Sequence, residues 1–487
     1  LEYNLNTMKK NIIYLYTAVV LLSTGCKKYL EQAPDQRTKL NTPDKISDLL
    51  VTAYPGGNYI MLAEAMSDNP TFVNTTGSDV ASNRDAYFWK DVEGTDQDTP
   101  TYYWNSCYEA IAAANEALNA INKASDPENY TAQKGEALVA RAYAHFMLVT
   151  FYSKPYDVAT ASTDIGIPYV TEPENIVIKQ YDRKTVAYVY EQIEKDLLEG
   201  LPLIKDNYKV PAYHFTKKAA YAFASRFYLF KKDYSKVLEY SNSAFPNNSF
   251  YANLRPWFTW ANLSGSTPIA QAFSAASNPG NILMAETTSW AARYNYKAVY
   301  SLTQSKLNVI RAPLGISFTA YKTYVNSSTF YFVPKLYEHF VRTSINASTG
   351  RGYVMQTLFA TEEVLLNRAE ANIYQGNYDA AISDFNILLS GRITGYTAGN
   401  GLTDAKIIAY YGTSVDKKQA YINAVLDLRR AEFIHEGLRW MDILRYKMPV
   451  THLDKDGNSF TLTADDNRRQ WQLPEEVILS GVNKNPR

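Results

Sequence analysis

TEEVLLNRAEANIYQGNYDAAISDFNILLSGR, residues 361–392, is the stretch that decides the fold. Leu365, Leu366, Ala369 and Ile373 fall on one face of a 3.6-residue period, which predicts a helix. Gln375-Gly376-Asn377 then interrupts the pattern, because glycine and asparagine tolerate the left-handed conformation that ends helices. The period resumes with Ala381, Ile382, Phe385, Leu388 and Leu389, so a second helix folds back on the first. Ala369 and Ala381 are small enough to let the two approach closely. Phe385, one turn beyond Ala381, is placed to fill the groove towards a neighbouring hairpin.

One such hairpin cannot bury its apolar face alone, so others must stack on it. Setting Tyr234 against Tyr378 aligns HFTKKAAYAFASRFYLFKKDYSKVLEYSNSAF, residues 214–245, with the first hairpin. Tyr221, Ala224, Ser225, Tyr228, Val237 and Ala244 then stand where small and bulky residues are needed. Ser241 replaces the phenylalanine, and Asn372 stands where a repeat of this type usually has an aromatic. Residues 102–124 and 135–152 make an earlier hairpin, closed by Lys154-Pro155 because proline cannot continue a helix. A helix follows over 185–199, and a short one begins near Thr42-Pro43-Asp44. The expected fold class is mainly α. Degenerate tetratricopeptide-like helix hairpins form a scaffold over about 101–245 and 360–445. Long loop-rich insertions occupy about 54–100 and 246–352, with a few short β-hairpins, one turning at Asp456-Gly457.

With 487 residues, 46% hydrophobic and 20% charged, the chain can bury a large core. Lys+Arg and Asp+Glu are both 49, which removes the electrostatic case for a nucleic-acid partner. Forty tyrosines either fill the spaces between helices or make a surface of flat rings with hydroxyl rims, suited to carbohydrate or protein. The five histidines (His145, His214, His339, His435 and His452) make neither HExxH nor HxH spacing, so no zinc site is expected. No G-x-S-x-G elbow or phosphate-binding loop appears, which argues against an enzyme, although a glycosidase's two carboxylates leave no motif. Asp454, Asp456, Asn458 and Asp465 loosely imitate a calcium loop. Gly457 falls two places early for it and the last acid is Asp, so a plain Asp-Gly hairpin is the better reading and no cofactor is expected. Arg429, Arg430, Glu432, Glu436, Arg439, Asp442 and Arg445 alternate in sign at helical spacings, which predicts i,i+3 and i,i+4 ion pairs locking helices together.

At the N-terminus, Met8 is the expected start, Lys9-Lys10 a basic segment, and residues 12–22 an apolar run too short to span a bilayer. Ser23-Thr24-Gly25-Cys26 closes it and resembles the lipobox of a bacterial lipoprotein signal. The expectation is a signal peptide over 8–26, lipid on Cys26, and one domain over 27–487. Each acyl methylene buried in a membrane contributes about 0.8 kcal/mol. Cys107 is then the remaining thiol, a small buried residue on a helix.

The lipobox, CKKYLEQAPD, the GEALVARAYAHF helix, the 361–392 hairpin, RRAEFIHEGLRWMDILRY and the terminal WQLPEEVILSGVNKNP follow in this order. Together they resemble the SusD/RagB family of Bacteroidetes outer-membrane lipoproteins across essentially the whole chain after Cys26. Leu428 departs from the Glu usual there, and Lys27-Lys28 from the acidic run that would signal transfer to the cell surface. The resemblance implies a non-catalytic cell-surface protein that binds oligo- or polysaccharide over a SusC-like TonB-dependent transporter. The helical repeats would be scaffold and transporter face, and the two insertions would supply the ligand surface. Sugar rings stack on Trp and Tyr while Asn, Asp and Arg bond their hydroxyls. The stacking candidates are therefore Trp257, Trp260, Trp290, Tyr294 and Tyr296, with Trp89, Tyr87, Arg84, Asp68 and Asn69 facing them from the other insertion. Trp104, in phase with its helix, belongs to the core. The alternative is a scaffold that binds peptide or protein partners. Exposed aromatics in 246–352 favour glycan; aromatics buried beneath the loop favour protein.

Overall fold

The computed structural model describes residues 40–173 and 181–487; the expected signal at 8–26 and Cys26 lie outside them. The helices within residues 40–173 are α1 Pro43–Leu50, α2 Ile60–Met66, α3 Ala81–Tyr87, α4 Pro100–Lys123 and α5 Thr131–Tyr152. Then come α6 Val186–Gly200, α7 Lys217–Lys231, α8 Tyr234–Ala244, α9 Trp257–Trp260, α10 Ser266–Phe273, α11 Ala291–Tyr294 and α12 Gln304–Ile310. The last are α13 Thr361–Tyr374, α14 Tyr378–Ser390, α15 Asp404–Tyr411, α16 Lys417–Glu432, α17 Leu438–Arg445 and α18 Glu475–Leu479.

The hairpin predicted over 361–392 is α13 and α14, with Gly376 at φ +78 in the turn. Side chains cap the helices: Thr42, Thr99, Thr216 and Asp416 each accept from a backbone N–H of the first turn. Consecutive antiparallel helices pack in a row, α4 on α5, α5 on α6, α7 on α8, α8 on α13, and α13 on both α14 and α16. The chain thus resumes its stack at α13 after the whole 246–352 insertion. Tyr234 and Tyr374 mark that joint, their rings stacked at 3.9 Å and 6°. Ser241, in the phenylalanine's place, meets Ser225 at 3.1 Å, so a hydroxyl pair replaces an aromatic wedge. Leu428 is fully buried, where an apolar side chain suits the core.

The two insertions are more ordered than their composition suggests. Residues 54–100 hold α2, α3 and the strand β1 Thr71–Phe72; residues 246–352 hold α9 to α12 and strands β2 Asn281–Thr288, β3 Tyr300–Ser301, β4 Tyr324–Asn326, β5 Phe330–Phe332 and β6 Glu338–Arg342. Strand β7, Gly350–Ala360, joins β2 and β6 as a three-stranded antiparallel sheet in the order β2-β7-β6. Helices of four to eight residues are too short to declare a period, which is why the insertion reads as loop. The Asp-Gly hairpin is present as β8 Val450–Leu453 and β9 Ser459–Leu462, with Gly457 at φ +82. The Asp454 carboxylate accepts from the N–H groups of Asp456 and Asn458 at 2.9 and 2.8 Å and from Asn458 Nδ2 at 2.8 Å, so it serves the turn. Among the described residues no three or more His, Cys, Asp or Glu are grouped to hold a metal ion.

The alternating charge block differs from its expected pairing. Asp442–Arg445 is an i,i+3 pair at 2.8 Å, but the other ion pairs of the block leave the local helix. Arg429 reaches Asp442 at 2.9 Å across the α16–α17 bend, and Arg445 reaches Glu370 of α13 at 2.7 Å. Glu432 holds Arg392 at 2.7 Å and Arg255 at 3.1 Å, while Glu436 holds Arg255 at 2.9 Å and Lys335 at 2.6 Å. These groups are buried, and they tie the insertion to the repeat stack. No helix among the described residues is long and apolar enough to cross a membrane.

Candidate functional site

Most of the aromatic candidates are packed inside. Trp257 is 1% exposed, with Trp260 at 5.0 Å, Tyr321 at 4.3 Å and the Lys335 ammonium 5.7 Å from its ring. Tyr296 stacks on Phe332 at 4.2 Å, and its hydroxyl accepts from the N–H groups of Lys335 and Leu336. Trp89, His452, Tyr87 and Tyr300 form one continuous stack, with centroid spacings of 4.4, 3.9 and 4.1 Å. Trp89 Nε1 donates to the Met66 carbonyl and Tyr87 to the Leu453 carbonyl. The expected line of exposed rings therefore gives way to anchors: Trp257, Trp260, Tyr296, Trp89 and Tyr87 are covered because each pins a short element that lacks a core of its own. The polar candidates behave alike. Asp68 makes a two-pronged pair with Arg439 at 2.8 Å and Asn69 accepts from Arg430 at 2.9 Å. Burial would raise the Asp68 carboxyl, but Arg439 and Arg430 overcome it and hold it well below the usual carboxylate range. Arg84 is half-exposed and bound to Asp79 at 2.8 Å and to Asp85.

Trp290 is the exception. It is half-buried and lines a cleft of about 580 Å³ with Glu93, Asp96, Gln97, Tyr102 and Arg351. Tyr294, also half-buried, stands one turn along α11 and outside the cleft lining. The loop between α3 and α4 makes one side. Gly94 at φ +102 and Asp98 at φ +61 bend it back, and Thr99 and Pro100 then start α4. Asp98 is the bolt of the site: its carboxylate accepts from Ser289 Oγ at 2.6 Å and from Trp290 N at 2.7 Å, joining the loop to the end of β2. Burial pushes the Asp98 carboxyl up to about 6, against those two donors, which pull it down. Gly352 on β7 supports the indole; a Cβ there would stand 2.8 Å from Trp290 Cζ3. The Arg293 guanidinium lies 4.3 Å from the Trp290 ring centre and 5.4 Å from that of Phe340, which is 40% exposed, and Glu338 grips it through both carboxylate oxygens. Across the cleft, Arg351 donates to the Tyr102 hydroxyl at 3.4 Å, and the buried Gln97 Nε2 has no hydrogen-bond partner among the described residues. Aromatic walls with a polar rim suit a ligand that has apolar faces and hydroxyl edges. A second recess of about 210 Å³, between α4 and α18 at Trp104, Ile111 and Val477, is mostly apolar, and its Asn115 is already bonded to Arg141 and Val170.

Sequence reading missed Glu93, Asp96, Gln97, Tyr102, Phe340 and Arg351. The acid-rich run DVEGTDQDTP, residues 91–100, was the available signal, and it reads as turn chemistry when no partner strand is known.

This architecture, stacked helical hairpins carrying a small sheet and a cleft on their insertions, is shared with known proteins. A family described as starch-binding associating with outer membrane matches residues 28–229, and the SusD family matches residues 286–478. The chain belongs to the SusD/RagB family. A SusD superfamily protein from Bacteroides thetaiotaomicron is 20% identical, with a TM-score of 0.68 over 92% of this chain and 100% of its own. One from Bacteroides vulgatus is 18% identical, with a TM-score of 0.66 over 92% and 99%. A SusD-like carbohydrate binding protein from the same species is 17% identical, with a TM-score of 0.64 over 90% and 96%. At these identities the likeness is one of fold. A search of curated proteins returned no significant match.

Proposed function

We propose that the protein binds an oligo- or polysaccharide in the Trp290 cleft without altering it and delivers it to a SusC-like TonB-dependent outer-membrane transporter. On this reading residues 27–487 form a single domain, held at the outer membrane and exposed on the cell surface by lipid on Cys26. The observation that carries the proposal is the pairing of Trp290 and Tyr102 as apolar walls with Glu93, Asp96, Gln97 and Arg351 as hydroxyl partners in one cleft. A structural relative described as carbohydrate binding, and a matching family described as starch-binding, support the ligand class. Tyr294 and Arg84, both partly exposed, are the remaining candidates for contacts beyond the cleft.

The second reading, a scaffold for peptide or protein partners, draws on the burial of Trp257, Trp260 and Tyr296 beneath their own insertion. Affinity electrophoresis of soluble protein from residue 27 onward, through gels cast with a panel of polysaccharides, separates the two. Retardation by at least one polymer is expected. Free migration in all of them, with peptide capture instead, selects the scaffold. Copurification of a TonB-dependent transporter from detergent-solubilised outer membranes tests the delivery step.

A further inference from the structure

We infer that the cleft selects uncharged glycans and turns away uronic-acid and sulfated ones, an inference that rests on the glycan reading above. The lining carries three carboxylates, Glu93, Asp96 and Asp98, and one cation, Arg351. Asp98 is engaged with Ser289 and Trp290. Glu93 and Asp96 are exposed at the rim, and neither side chain has an ion-pair partner among the described residues. Of the positive groups nearby, Arg293 is gripped by Glu338 and Arg84 by Asp79 and Asp85, while Arg342, exposed on β6 opposite the lining residue Gly350, has no ion-pair partner among the described residues. A carboxylate only accepts hydrogen bonds, so Glu93 and Asp96 suit sugar hydroxyls that donate, and such charge-assisted bonds are the stronger kind. A uronate or sulfate is also acceptor-only and meets like charge where it needs donors. Within the lining Arg351 is the one cation, and it already leans on Tyr102; Arg342 stands beside the lining, opposite Gly350. In a cleft walled by protein, like charges repel over roughly the 8 Å Debye length of physiological salt.

The test uses matched polymers: starch, β-glucan, galactan and mannan, each beside its C6-oxidised, uronic-acid form, with heparin as a sulfated probe. Affinity electrophoresis and calorimetry on soluble protein should find a neutral binder whose oxidised form binds at least about tenfold more weakly at low salt, a gap that narrows as salt is added. The double variant E93Q/D96N should raise the oxidised-to-neutral affinity ratio about tenfold. Equal or tighter binding of an oxidised polymer or of heparin, or a ratio that E93Q/D96N leaves in place, overturns the charge selection and leaves the glycan reading standing. Retention of no polymer at all overturns the glycan reading and this inference with it.

Discussion

Trp290 and Trp257 are the same residue type in the same insertion, thirty-three positions apart, and they do opposite work. Trp257 is enclosed by Trp260, Phe273 and Tyr321, so W257A removes core and should cost about 3–5 kcal/mol, read as a lower unfolding midpoint in urea. Trp290 stands at the cleft, and W290A should weaken polysaccharide retardation at least about tenfold while costing about 1 kcal/mol of stability. Reversed outcomes would reassign the site. G352A offers an independent check, because the added methyl meets Trp290 Cζ3 at 2.8 Å and the Ser289 carbonyl oxygen at 3.0 Å. It should displace the indole and reduce retardation without deleting a cleft side chain; unaltered retardation would mean that the indole's position is immaterial. Residue type placed Trp290 among the candidates, but it could not rank it above Trp257, since burial depends on what folds over each ring.

At the level of elements, the hairpins were legible because helix periodicity is written in neighbouring residues. The α13–α14 pair and its Gly376 turn follow from the 361–392 stretch alone. The charge block was legible as ion pairs, yet its partners were not: Glu432 finds Arg392 and Arg255 on other segments, 40 and 177 residues away. All three side chains are fully buried. Removing one charge leaves two guanidinium groups short of a counter-ion, so E432Q should lose about 3–5 kcal/mol. Chemical denaturation checks this, and a loss under about 1 kcal/mol would show that Glu362 and Glu436 suffice without it.

Across the whole molecule, the 60–69 segment is sewn to the C-terminal helices, and one of the stitches is pH-sensitive. Glu64 accepts from Gly437 N at 2.9 Å and from Asn69 Nδ2 at 3.2 Å. Burial pushes its carboxyl up to about 7, with those donors pulling the other way. Since the folded form holds this proton more tightly than the unfolded chain, the associated stability is full below about pH 4 and is lost as pH rises through about 7. E64Q removes the titration. Its stability relative to wild type should therefore rise by about 3 kcal/mol between pH 4.5 and 8 in urea melts. A pH-independent difference would place the proton elsewhere. Asp68 works in the opposite sense: paired with Arg439, it stabilises at neutral pH and loses that contribution only in acid.

The chain's own order of residues determined the helical hairpins, their caps and turns and the Asp-Gly hairpin, because each rests on contacts within a few dozen residues, and it determined the family resemblance, because that rests on the order of motifs along the chain. Tertiary structure alone decided which rings are covered and where the cleft lies. Tyr87 is shut in by His452, and Trp290 is held by Asp98, across 365 and 192 residues of chain. Exposure is set by such distant neighbours, and no local period encodes them.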